Sequence, residues 1–255
     1  MEKYFQFSPN IYAALHRDTL IILDSFRDEY LSFGKEETVF FQVIMEGPFQ
    51  QVGDEYLQDG GASGSSYEKS RLSSFISYLL KTEIIKSCAK EQRKNKIGVA
   101  KKQFGLSQKE WLLPPSSKVK ITTTLIAYAC LIQAHSILNK GKLPALLETL
   151  KRNGARNRHW NFQSIERSTE LSHALVHASK FYRKKSWCLA FAGALALLHC
   201  RYRYPCDLVI GVQTMPFLAH AWVETADIVL HDNHELQTSL SVILRVKAHA
   251  ESGVK

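Results

Sequence analysis

The stretch Leu208 to Glu224, LVIGVQTMPFLAHAWVE, decides how the second half of this chain is read. Leu208–Val212 and Ala219–Thr225 are apolar runs of strand length, and Asp227–Leu230 is a third. His220 stands on the second run and Asp232 just past the third. Twelve residues separate the two, enough for a turn and an antiparallel neighbour, so they can face each other across a strand pair. Upstream by 32 residues lies Cys188, in the first turn of the helix-like run Ser186–Cys200.

A thiol at a helix start, a histidine on one strand and a carboxylate after the next are the parts of a cysteine nucleophile system. The attacking species is the thiolate, so a free thiol pKa near ~8.5 must fall. Unpaired N–H groups in the first helical turn favour that anion. His220 would pair with the thiolate and protonate a leaving amine, and Asp232 would fix the imidazole's tautomer and orientation. The backbone N–H of Cys188 is a candidate oxyanion donor. Singly, these three would read as a small core residue, a satisfied core histidine and a turn carboxylate. Their order and context make them a catalytic set. His231 and His234 flank Asp232 without the Cys or carboxylate partners of a zinc site, so no metal is expected. Trp187 and Trp222 read as core aromatics or as walls of a cleft. The phosphate-cradling Gly-x-x-x-x-Gly-Lys-Ser/Thr loop is absent, so the sequence offers no cofactor or nucleotide motif.

With 255 residues, 45% hydrophobic and 22% charged, the chain suits one large or two small globular domains. The first ten residues lack a secretory pattern, and five cysteines without pairing spacing suit reduced thiols, so a cytoplasmic location is expected. Ile121–Leu138 is apolar but holds Gln133 and His135; it reads as a buried core helix rather than a transmembrane segment. The net charge of +9 is uneven. Residues 1–80 carry 6 Lys and Arg against 12 Asp and Glu, and the remainder carries 27 against 12. Such a sign change suggests two modules. Seven basic residues lie between Lys86 and Lys102, but no base-reading motif accompanies them, so a solvated linker is expected rather than a nucleic-acid site.

Tyr4–Phe7, Ile11–Leu15, Leu20–Leu23 and Glu29–Phe33 read as strands. Val39, Phe40, Val43 and Ile44 mark a helical face that Gly47-Pro48 ends, and a second helix spans about Tyr67–Leu80 after the Asp59–Ser66 loop. Strands followed by helices in this length suggest a small winged-helix-like module. The expectation is an α+β protein of three parts: residues 1–85, a basic linker over 86–117 that ends in Pro114-Pro115-Ser116-Ser117, and residues 118–255. Helices are expected over Val119–Leu138, Leu143–Leu150 and Glu170–Arg183. The edge most open to an added peptide strand is Glu29, Tyr30, Leu31, Ser32 and Phe33, with Leu72 and Phe75 of the following helix beside it.

Around Trp-Cys188-Leu, Leu208–Glu224 and Asp232, the chain resembles the leader peptidases of lasso-peptide biosynthesis, the B proteins of microcin-type clusters. The resemblance runs over about Ser186–Val246; the first 85 residues are similar, more weakly, to the winged helix-turn-helix leader-recognition domain of the PqqD type. It implies a transglutaminase/papain-like cysteine peptidase fold for residues 118–255, with Cys188, His220 and Asp232 as catalytic residues. It also implies a precursor peptide as substrate, bound by its leader and cut between leader and core. The freed core would pass to an asparagine-synthetase-like cyclase, through which any ATP dependence would act. Two other readings stay open: an amine acyltransferase on the same fold, and a non-catalytic adaptor that presents the precursor to the cyclase.

Overall fold

The computed structural model divides into two units, Met1–Gly98 and Val99–Lys255. It describes residues 2–52, 55–58, 66–89, 97–99, 119–156, 165–182 and 188–248.

In the first unit, β1 (Glu2–Phe7), β2 (Ile11–His16), β3 (Thr19–Asp24) and β4 (Glu29–Phe33) precede helix α1 (Lys35–Glu46). The hairpin β5 (Phe49–Val52) and β6 (Glu55–Gln58), helix α2 (Ser66–Lys81), β7 (Ile85–Cys88) and β8 (Ile97–Val99) follow. The strands make two four-stranded sheets, β6-β5-β1-β7 and β4-β3-β2-β8. Phe5, Ile22, Phe41, Ile44, Phe49, Ile76 and Leu79 share one buried cluster, which ties both sheets to both helices. Burying side chains of this size contributes roughly 1.5–3 kcal/mol each.

One expectation is not shown here. A helix-turn-helix joins its helices by a short turn, but α1 and α2 are separated by the β5–β6 hairpin. Gly47 closes α1 with its N–H on the Val43 carbonyl at 3.2 Å, and Pro48 cannot continue the helix. The chain beyond is extended and pairs Phe49 and Gln50 of β5 with Lys3 and Glu2 of β1. The described residues of this unit therefore do not display a winged helix-turn-helix. The loop 59–65 and most of the basic stretch 86–117 lie outside the described residues.

In the second unit, α3 (Ile121–Arg156), α4 (Ile165–Lys180) and α5 (Cys188–Tyr202) lead into β9 (Asp207–Gln213), β10 (Leu218–Thr225), β11 (Ile228–Val229), the short α6 (Leu236–Ser239) and β12 (Ser241–Lys247). The sheet order is β11-β10-β9-β12, all antiparallel. The two apolar runs expected as separate helices form α3, interrupted at Lys142, where φ is 54°. Pro144 follows two residues later, where the second segment starts and a missing N–H costs nothing.

The expected burial of α3 holds for one face only. Ala127, Cys130, Leu131 and Ala134 recur at helical spacing and are buried, while Ile121, Leu125 and Ile132 on the opposite side are exposed. By length and composition Ile121–Ala155 could cross a membrane. Helix α5, rich in Ala, carries Gly193 against Leu146 of α3; a Cβ there would lie 2.8 Å from a Leu146 methyl, so glycine permits the close approach. Cys130, Cys200 and Cys206 are buried thiols outside any disulfide. Burial pushes the Cys130 thiol up to about 11 and that of Cys200 to about 12. They are inert as nucleophiles at neutral pH.

Candidate active site

Cys188 is the first residue of α5. His220 lies on β10, paired with Gly211 of β9, and Asp232 lies just beyond β11. The hairpin β9–β10 and the return through β11 thus carry the histidine and the carboxylate to the start of the helix. His220 Nε2 bonds Asp232 Oδ2 at 2.8 Å. The other carboxylate oxygen accepts the Asn233 backbone N–H at 2.8 Å, so Asp232 is held on both oxygens. With Nε2 taken by Asp232, Nδ1 is the ring nitrogen left for a thiol, and Cys188 and His220 are close enough for each to shift the other's titration.

The electrostatics oppose burial at both residues. Burial pushes the Cys188 thiol up, but the hydrogen bond and charge of His220, with backbone bonds at Ala221 and Leu189, bring it below its ordinary value. Burial also pushes His220 down, yet its bonds to Asp232 and Cys188 and their charges carry it above the usual range. The two shifts agree in favouring a thiolate–imidazolium pair. By contrast, fully buried His199 on α5 is driven down to about 4 by burial. The catalytic candidates are therefore distinguished by their partners, not by burial itself.

Trp222 does not wall a cleft. It is 2% exposed and packs with Val209, Val229, Leu236 and Leu240. Its ring lies nearly parallel to the His220 imidazole, 18° between planes and 6.1 Å between centroids. The indole Nε1–H donates to Glu224 Oε1 at 2.6 Å. Glu224 Oε2 accepts from Arg245 at 2.6 Å, and Arg245 also reaches Asp207 Oδ2 at 3.0 Å. Glu224, Arg245 and Asp207 are not among the residues that the sequence singles out. The available signal was the period-two spacing His220-Trp222-Glu224, which puts all three on one face of a strand. Trp187 lies outside the described residues.

His231 meets His173 of α4 edge to face at 5.4 Å rather than joining a ligand cluster. Among the described residues, no group of three or more His, Cys, Asp or Glu could hold a metal ion.

In the first unit, β4 is an edge strand of its sheet. Glu29 and Ser32 are exposed, and Tyr30, Leu31 and Phe33 are half-buried. Phe33 meets Phe75 of α2 at 5.6 Å, edge to face, and Leu72 packs against the same core. The structure brings the strand and helix residues of the candidate peptide-binding edge together.

Residues 140–245, less than half of the chain, match the transglutaminase-like superfamily. Over 62 residues the chain is 39% identical to the microcin J25-processing protein McjB of Escherichia coli. That match covers 24% of this chain and 30% of the relative, so the likeness spans under a third of McjB. No solved structure matches.

Proposed function

We propose that this chain is a leader peptidase of lasso-peptide maturation, with Cys188 as nucleophile, His220 as acid and base, and Asp232 as orienting carboxylate. The observation that carries the reading is the 2.8 Å bond between His220 and Asp232, supported by the lowered thiol pKa of Cys188 at the start of α5. The match of residues 140–245 and the local identity to McjB support a role in lasso-peptide processing.

In this mechanism the Cys188 thiolate attacks the carbonyl carbon joining leader to core, and first-turn N–H groups of α5 stabilise the oxyanion. The C–N bond breaks as His220 gives its proton to the leaving amine. The core departs with a free amino group and the leader stays as a thioester on Cys188. Water then attacks, losing a proton to His220, and the leader leaves with a C-terminal carboxylate. The freed amine suits macrolactam closure by a partner cyclase, through which any ATP requirement enters.

The first unit binds the leader as a strand added to the free edge of β4, with side chains against Leu72 and Phe75. The location that suits reduced thiols and a ribosomally made substrate is the cytoplasm.

The test is precursor peptide mixed with the purified chain, with and without cyclase and ATP, followed by intact-mass spectrometry. The expected result is leader and core fragments with the wild type and none with Cys188→Ala. A mass-balanced conjugate with an added amine would assign acyl transfer instead. Tight binding without cleavage under any condition would assign the adaptor role.

A further inference from the structure

We propose that Glu224 is a positioning residue, which holds His220 in its working orientation by tethering Trp222. The turnover part of this inference rests on the proposed peptidase reaction.

Three observations carry it. The Trp222 ring lies along the His220 imidazole, and both side chains are nearly excluded from solvent, at 2% and 4% exposure. Its indole N–H, buried with it, finds its acceptor in Glu224, whose second oxygen is held by Arg245. Glu224 is itself 1% exposed, and Arg245 bridges to Asp207, so one guanidinium fastens β9, β10 and β12 together around that carboxylate. Both oxygens of this buried side chain are therefore occupied, one by the indole and one by the guanidinium.

The backbone makes room for this arrangement. Gly211 lies directly opposite His220, and a Cβ on it would sit 2.7 Å from the Trp222 ring and 2.8 Å from Leu240 Cβ. Trp222 therefore fills the space over the strand pair beside His220. The indole lies beside the imidazole and Asp232 takes Nε2, so these two contacts set the angle of the ring whose other nitrogen is left for the thiol. Loss of the tether frees the indole, and with it the angle at which His220 meets Cys188.

The test compares Glu224→Ala, Glu224→Gln and Trp222→Phe in the full chain. One readout needs no peptide: the rate of Cys188 alkylation by iodoacetamide as a function of pH. The others are kcat and KM on the precursor, and the melting temperature. Glu224→Ala is expected to move the alkylation profile to higher pH and to lower kcat by about tenfold or more, with KM changed less than about twofold. Glu224→Gln keeps an acceptor for the indole and is expected to restore most of both. Should Glu224→Ala fail to fold, Trp222→Phe, which removes the N–H and keeps an apolar ring, reads the same tether and is expected to shift the profile in the same direction. A folded Glu224→Ala or Trp222→Phe with the wild-type profile would overturn the inference. So would a folded Glu224→Gln no better than Glu224→Ala. If the wild type cleaves no precursor, the peptidase reading falls, while the alkylation profiles still judge Glu224.

Discussion

In the proposed reaction Cys188 owes its reactivity to its partners. Burial acts to keep the thiol protonated, and only the bond and charge of His220 with nearby backbone bonds reverse it. Removing the imidazole should therefore do more than remove a base. In His220→Ala the alkylation of Cys188 is expected to move from below the ordinary thiol range near ~8.5 to above it, measured by quenched iodoacetamide labelling across pH. The pair also fixes the pH window of turnover. Rate should rise as the lowered Cys188 pKa is passed and fall as the raised His220 pKa is passed, so kcat/KM is expected to be bell-shaped. The stability signs differ. The His220 contribution is present below its unfolded value and lost as pH rises through the raised folded value. The Cys188 contribution is present above its unfolded value and lost as pH falls through the lowered one. Gly211→Ala is expected to cost about 1–3 kcal/mol and to displace Trp222, seen as a lower melting temperature together with lost activity. The order Cys188, His220, Asp232 was legible in the sequence because each lies at a helix or strand position that sequence pattern can identify. The Arg245 end of the Glu224 tether was not, because it joins strands 21 residues apart that no local pattern relates.

Among elements, α5 and the β9–β10 hairpin hold the proposed catalytic residues Cys188 and His220, and both were readable: one from its apolar helical run, the other from two apolar runs of strand length. The first four strands were also readable, with β4 at the bounds expected. Strands β5 to β8 were not, since segments of three or four residues offer too few positions for a period to declare itself. Strand β12 is longer, but its register shifts between Val242 and Leu244, and a bulge breaks the alternation on which the reading depends. Helix α5 also holds a separate pH liability. His199 is buried with Nδ1–H donating to the Leu195 carbonyl at 2.9 Å, and its folded pKa is lowered from 6.5 to about 4. Its neutral form stabilises the fold above its unfolded value, and that contribution is lost as pH falls from 6.5 toward 4. Full loss amounts to about 3 kcal/mol. Chemical denaturation of His199→Leu at pH 7 and pH 4.5 is expected to show a smaller difference between the two than wild type shows.

For the whole molecule, the two units have different jobs in this account: one binds a peptide and the other cuts it. Composition hinted at the division through its change of charge sign, but it could not give the architecture of the first unit. The helix-turn-helix expectation is not shown by the described residues: Gly47-Pro48 was read only as a stop, whereas the chain beyond returns to pair with β1. Removal of residues 1–98 is expected to weaken precursor binding by about tenfold or more in a fluorescence titration, while Cys188 alkylation keeps its pH profile. Unchanged binding would place leader recognition elsewhere.

The most direct measurement on the central claim is the mass of the protein itself during turnover. Acid quench within the first turnovers, followed by intact-mass and peptide mapping, is predicted to find the leader attached as an acyl group at Cys188. That adduct should be absent in Cys188→Ala and should persist longer when His220 is replaced. Precursor cleavage that proceeds in Cys188→Ala, with no acyl adduct on the wild type at any time, would contradict the account.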